Sequence, residues 1–260
     1  MLGAAIGDIV GSRFETANHK STDFTLFTPE SNFTDDTVCT VAVAEWVLSG
    51  CHANLTEIMQ KWCRRYPNPA GKYGEAFNRW IWQEHPQPYN SWGNGSAMRV
   101  SAVGWMFDTL EATLAYARAS AEITHNHPEG IKGAQAVAAA IFWARSGYDK
   151  ECIREKIMRS FGYALNFTCD EIRPSYTFTT RCAESVPQAL TAFLESSGFE
   201  HAIRLAVSLG GDSDTLAAIA GSIAEAFYYP IPKPIRQQAL AILPTDMADI
   251  LCRINTEILL

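Results

Sequence analysis

Two short acidic clusters define the chemistry open to this chain. Thr34-Asp35-Asp36-Thr37 and Gly210-Gly211-Asp212-Ser213-Asp214-Thr215 each set two carboxylates among hydroxyls just before an apolar run, Val38 to Leu48 and Leu216 to Tyr229. Asp, Ser and Thr are good N-cap residues, because their side-chain oxygens accept from the orphan N–H groups of a first helical turn. Acids there also favour the helix dipole. One oxygen is enough for a cap. Two acids beside a threonine supply more hard oxygen ligands than capping needs, and such ligands suit Mg²⁺, Mn²⁺ or Ca²⁺. Helix capping explains either cluster alone; two in one chain point to a shared cation site. If the two helix starts face each other, Asp35, Asp36, Asp212 and Asp214 converge, and four carboxylates that close repel strongly unless cations sit between them.

Other segments offer weaker signals. Trp92-Gly93-Asn94-Gly95-Ser96-Ala97-Met98-Arg99 is a GxGS run before a helix, a pattern whose backbone amides can cradle a phosphate or a hydroxyl-rich ligand. Thr124-His125-Asn126-His127-Pro128 carries two histidines at i and i+2; with Pro128 suited to a first helical turn, a capped, hydrogen-bonded pair explains them better than a metal site. Asp8 interrupts an apolar, small-residue stretch from Gly3 to Gly11, so it is expected to be buried and hydrogen-bonded. Glu15 opens a polar loop that runs to Asn32.

The elements that must position these groups read as helices. Apolar periodicity marks Val38–Leu48, Leu55–Tyr66, Glu75–Gln83, Glu111–Glu122, Gly133–Arg145, Cys152–Gly162, Val186–Glu195, Glu200–Leu209, Leu216–Tyr229, Ile235–Leu243 and Met247–Asn255. Strand signals are nearly absent; only Tyr176 to Thr180 suggests a short extended segment. The expected fold is all-α, a single compact multi-helix domain over residues 1–260 with its ligand groups at helix starts and in loops.

Composition excludes several classes. At 260 residues, 47% hydrophobic and 19% charged, the chain is globular rather than disordered. Its net charge of −7 and the lack of a dense basic cluster argue against sequence-independent nucleic-acid binding. Lys61, Arg64 and Arg65 read as a solvated helix end. Seven cysteines, an odd number with no CxxC pair, read as reduced thiols in a cytoplasmic protein. The apolar N-terminus lacks the basic flank of a signal peptide, and no apolar run reaches the length of a membrane span.

Taken together and in order, Gly3-Ala4-Ala5-Ile6-Gly7-Asp8 with Glu15, Phe33 to Thr37, Gly93 to Arg99, Thr124-His125 and Gly210 to Thr215 resemble the ADP-ribosylglycohydrolase family. The resemblance implies an all-α fold with a binuclear Mg²⁺ or Mn²⁺ site at helix N-termini. It implies Thr34, Asp35, Asp36, Asp212, Asp214 and Thr215 as metal ligands, with Asp35, Asp36 and Glu15 catalytic and Glu15 on a mobile loop. Ser91, Trp92, Gly93, Asn94 and Gly95 would hold the ribose and diphosphate, with His125 nearby. The implied activity is hydrolysis of the glycosidic bond joining ADP-ribose to a protein side chain or other acceptor. The alternatives are an ADP-ribose-binding module of the same fold without hydrolysis, or a metal-dependent hydrolase of another nucleotide or glycoside. Asn90 stands where relatives often have glycine, and Trp92 where tyrosine can occur. The leaving group and the oligomeric state are not legible at this level.

Overall fold

Six helix starts in this chain carry side-chain caps. Thr34 Oγ1 accepts from the Asp36 amide, Asn54 Oδ1 from Thr56, Thr109 Oγ1 from Ala112 and Asp149 Oδ1 from Cys152. His127 Nδ1 accepts from the Glu129 amide ahead of Pro128 at the first helical position, and Thr168 with Glu171 forms a reciprocal capping box. The computed structural model describes the backbone of residues 1–257 and side chains through Arg253. Among the described residues there are fifteen α-helices: α1 (Leu2–Gly11), α2 (Asp35–Leu48), α3 (Leu55–Arg65), α4 (Glu75–Ile81), α5 (Gly95–Met98), α6 (Ser101–Met106), α7 (Leu110–Glu122), α8 (Pro128–Arg145), α9 (Lys150–Phe161), α10 (Cys169–Ile172), α11 (Cys182–Glu195), α12 (Phe199–Ser208), α13 (Ser213–Tyr228), α14 (Lys233–Ile242) and α15 (Thr245–Glu257).

The all-α expectation holds. No strand occurs among the described residues; the segment read as extended near residues 176–180 ends in a single antiparallel bridge, Gly93 to Arg181. Several helices begin before their apolar periodicity suggested, furthest α8 at Pro128 and α11 at Cys182. In these two, the first turn carries polar residues that periodicity alone cannot read. The short α10 was not anticipated. No described helix is long and apolar enough to cross a membrane, and no disulfide occurs among the described residues, with Cys39, Cys63, Cys169 and Cys182 buried as thiols.

Helix α13 forms the axis of the core. It is buried from Ser213 to Ala226, and α1, α8, α11 and α12 pack around it. Helix α1, buried along its whole length, runs antiparallel to α13 at backbone contact. A Cβ on Gly3 would come within 2.3 Å of the Gly221 carbonyl oxygen, one on Gly7 within 2.0 Å of Ala217 O, and one on Gly11 within 2.5 Å of Asp214 Cα. This approach brings the C-terminal end of α1 against the N-terminal end of α13. Helix α2 packs on α1 from another side and α3 on α2.

Substitution at the tightest of these contacts tests the arrangement. Gly7→Ala places a methyl against backbone that cannot rotate away, so it should lower unfolding free energy by about 1–3 kcal/mol or more. Gly198→Ala, where an added Cβ meets nothing within 4 Å, should cost less than about 1 kcal/mol. Urea unfolding of the two variants checks the difference; equal midpoints would remove the close contact from the account.

Candidate active site

Helices α2 and α13 open at their N-termini onto one cavity of about 420 Å³, a size suited to a small-molecule ligand. Asp35, Asp36, Asp212, Asp214, Thr215 and Glu15 line it, as do Ser91, Gly93, Asn94, Gly95 and His125. The two acidic helix starts therefore face each other, and a hydrogen bond joins them, from Thr215 Oγ1 to Asp36 Oδ2 at 3.1 Å. Carboxylate oxygens of Asp8, Asp36 and Asp214 lie within 4.8 Å of one another, and so do those of Glu15, Asp212 and Asp214. Asp214 belongs to both groups. Asp35 lines the cavity without joining either.

Each carboxylate has a distinct hydrogen-bonding state. Asp8 is fully buried on α1 and accepts four bonds at the start of α2: from the Thr34 amide (2.9 Å) and hydroxyl (2.7 Å), the Thr37 amide (3.0 Å) and the Thr37 hydroxyl. Asp212 Oδ2 accepts from Asn94 Nδ2 at 2.7 Å. Asp36 is 3% exposed, and its Oδ1 is buried without any partner. An unsatisfied buried polar atom costs about 1–3 kcal/mol, more when charged, so this oxygen calls for a ligand. The surrounding donors are all hard oxygens, which fits a divalent cation of the Mg²⁺ or Mn²⁺ class. Thr34 lies behind this set, fully buried. Its hydroxyl donates to Asp8 and accepts from the Asp36 amide, which leaves one lone pair for a cation.

Crowding sets the electrostatics. Burial, then the neighbouring carboxylates, pushes Asp35, Asp36 and Asp214 well above the usual carboxylate range. Burial raises Asp8 to about 6 despite its four hydrogen bonds. Glu15 is raised by burial and by the charges of Asp212 and Asp8.

Loops hold the helix starts in place. Gly210 and Gly211 both have positive φ, +71° and +69°, a conformation that glycine adopts without penalty. The turn they make is fastened by the segment carrying Glu15. Asn18 Oδ1 accepts from the Gly211 amide at 3.1 Å, while Lys20 Nζ donates to Tyr176 O at 2.6 Å and to Leu209 O. On the other wall, the 91–95 loop is zipped to the start of α11. The Asn94 amide donates to Thr180 O (2.7 Å) and the Cys182 amide to Trp92 O (3.1 Å). The Gly93 amide is taken by Ser91 Oγ at 3.1 Å. Of the three amides at 93–95, only that of Gly95 is without a protein acceptor among the described residues, so this loop offers fewer donors than its glycines suggest.

Trp92 departs from its neighbours. At 52% exposure it lies on the outer side of the loop and lines a separate cavity of about 270 Å³ with His127 and Arg181. Sequence reasoning also missed several parts. Asp8 was expected to be buried but not to join the acidic group; its signal was that it is the single charged residue in Leu2–Gly11. Phe178 and Thr180 also line the main cavity, with no signal beyond proximity to recognised motifs, and so does Arg99, which ends the Gly93–Arg99 motif but was given no role.

A family model for ADP-ribosylglycohydrolase matches residues 1–254. The chain belongs to the ADP-ribosylglycohydrolase family. It is 25% identical over 299 residues to ADP-ribosylhydrolase ARH3 of Xenopus tropicalis, covering 88% of this chain and 85% of that one. It is 28% identical over 263 residues to ADP-ribosylarginine hydrolase Tri1 of Pseudomonas putida (strain GB-1), with 88% and 69% covered. A solved structure titled ADP-ribosylglycohydrolase-related protein complex superposes with a TM-score of 0.73 at 24% identity, covering 97% of this chain and 94% of that one. That likeness extends the family assignment to the fold.

For this family member the crowded acids give a pH signature. A carboxyl whose folded pKa is raised binds more protons when folded than when unfolded, so stability falls as pH rises from the ordinary value of about 4 through the raised one. The chelated protein should therefore melt lower at pH 8 than at pH 5. Added Mg²⁺ or Mn²⁺ should raise the midpoint more at pH 8, where the acids are ionised and free to bind. Differential scanning fluorimetry at both pH values checks this; an equal metal effect at both would count against the acids as its source.

Proposed function

We propose that this protein is a divalent-cation-dependent hydrolase that cleaves the glycosidic bond between ADP-ribose and an acceptor. The reading rests on the family membership and on the names of its relatives, ARH3 and Tri1, as hydrolases of ADP-ribosyl groups. The observation that carries it is the unpartnered Asp36 oxygen among two carboxylate triads that share Asp214, in a cavity that also holds the Gly93–Gly95 loop. The parts of this site come from residue 8 through residue 215, so we treat residues 1–260 as one functional domain.

Asp36, Asp212, Asp214 and Thr215, with Asp35 and Thr34, would hold two cations of the Mg²⁺ or Mn²⁺ class. Bound cations would supply positive charge that neutralises the acids and polarises the oxygens beside them. The remaining chemistry falls to the side chains. Cleavage passes through an oxocarbenium-like sugar, whose positive charge the carboxylates of Glu15 and Asp35, both lining the cavity, would stabilise. Asp35 orients the attacking water. Glu15 takes a proton from that water at a carboxylate oxygen and passes it to the leaving atom as the bond to the anomeric carbon breaks. Ser91, Gly93, Asn94 and Gly95 line the wall that would hold the ribose and diphosphate, and Trp92 would flank them from outside.

The test is release of ADP-ribose from arginine-, serine- and acetyl-ester-linked substrates with Mg²⁺, Mn²⁺ or EDTA. Asp36→Asn and Asp214→Asn should lose about a hundredfold or more in turnover along with cation affinity. Glu15→Gln should lower kcat by roughly 10²–10⁴-fold with Mn²⁺ affinity unchanged in calorimetry. Full turnover in EDTA would refute the cation-dependent reading, and undiminished kcat in Glu15→Gln would remove that residue from proton transfer.

A further inference from the structure

Arg99 is a buried cation without an acidic partner. It is 1% exposed, forms no ion pair among the described residues, and its Nε has no hydrogen-bond partner. Burying a charge unpaired is unfavourable by several kcal/mol, so its place beside the cavity calls for an explanation. One guanidinium nitrogen, NH2, donates to Ser120 O at 3.0 Å and to Thr124 Oγ1 at 2.8 Å. Thr124 is fully buried, and its hydroxyl has one further partner, His125 Nδ1 at 2.7 Å.

These contacts determine where the imidazole proton sits. The Thr124 oxygen accepts from Arg99, which has no lone pair to return. The hydroxyl proton must therefore go to Nδ1. If Nδ1 carried the ring proton instead, the buried Thr124 hydroxyl would be left with no acceptor, an unfavourable state. Burial and the Arg99 charge together hold His125 well below the usual histidine range, so the ring keeps a single proton. That proton is on Nε2. Among the described residues Nε2 has no protein acceptor. It lies against the substrate loop, where a Cβ on Gly95 would come within 3.1 Å of it and one on Gly93 within 3.5 Å.

We propose that Arg99 and Thr124 are positioning residues that lock His125 as its Nε2–H tautomer, so that it offers one neutral donor to an oxygen of the bound nucleotide sugar beside Gly93 and Gly95. The ligand class rests on the proposed function; the tautomer does not. No carboxylate takes part in these hydrogen bonds. Donation runs one way, from guanidinium to hydroxyl to imidazole to ligand.

The experiment is ¹⁵N NMR of the histidine rings in the magnesium-loaded full chain, paired with calorimetric ADP-ribose binding. His125→Gln assigns the His125 signals by their loss. The wild type should show a protonated Nε2 and an unprotonated Nδ1 at pH 7. Thr124→Val removes the donor to Nδ1 and should give mixed tautomers and about 3- to 30-fold weaker ADP-ribose binding. Thr124→Ser should restore both. A purely structural role for Thr124 would lower the melting temperature without moving the tautomer. A wild-type ring protonated at Nδ1, or at both nitrogens, overturns the proposal, as does unweakened binding in a tautomer-shifted Thr124→Val. If the wild type binds no ADP-ribose, the proposed function fails, and the wild-type ring signals still decide the tautomer lock.

Discussion

Everything at the candidate active site depends on how closely α1 approaches α13. With Gly3, Gly7 and Gly11 facing it, α1 lies at backbone distance along a helix buried from Ser213 to Ala226. Larger side chains at those positions would push the axes apart toward the usual 8–10 Å separation or beyond. The antiparallel sense of the pair then decides which groups meet. Asp8 and the turn leading to Glu15 come off the end of α1 that abuts Asp212 and Asp214. Residues more than two hundred positions apart thus share one small volume because three glycines leave room for it.

Close packing concentrates charge, and the chain handles the acids unequally. Asp8 is well satisfied: four hydrogen bonds from Thr34 and Thr37 turn it into a cap for α2 supplied by another helix. It fixes α2 against α1 and thereby orients Asp35 and Asp36. Asp36, grouped with Asp8 and Asp214, is left with a buried oxygen that has no partner. Such an arrangement is unfavourable by itself, since burial and mutual repulsion raise the pKa of both Asp36 and Asp214. A group of this kind stores binding capacity for a cation at the expense of stability without one. Glu15 stands on the rim of the same field, held near it by Asn18 and Lys20 rather than by α1 alone.

The parts legible in the sequence were those written in local chemistry. The cap residues of the Thr34 cluster, Pro128 in the first turn of α8, and the apolar period of α2, α7 and α13 follow from neighbours a few residues away. The facing of the two acidic clusters was suggested by their occurring twice, since helix capping explains either one alone. What could not be read depends on contacts distant in sequence. The four bonds to Asp8 require knowing that α2 begins beside α1. The antiparallel bridge that ties Gly93 to Arg181 uses a segment with the look of a strand but only one partner residue. It also consumes the Asn94 amide, so a glycine-rich run that reads as a phosphate cradle presents fewer free donors than its composition implies. Trp92 faces outward because the same zipper fixes the loop on its inner side.

An acidic chain that holds an anionic nucleotide sugar meets an electrostatic conflict, and the two walls of the cavity answer it differently. On the wall at the starts of α2 and α13, bound cations would offset the carboxylates. On the wall formed by the 91–95 loop there is, among the described residues, no cluster of lysines or arginines to attract phosphate. The donors there are neutral: the Gly95 amide and, under the proposed tautomer, His125 Nε2. Arg99, buried at the edge of the same cavity, has no acidic partner among the described residues and polarises the Thr124 hydroxyl and the His125 ring. Directional neutral bonds hold a ligand by geometry while adding little long-range attraction. For a hydrolase whose product keeps the same diphosphate as its substrate, that distinction has a consequence. A wall of exposed cations would bind both alike, whereas a few oriented donors leave discrimination to the end of the cavity where the bond is cut.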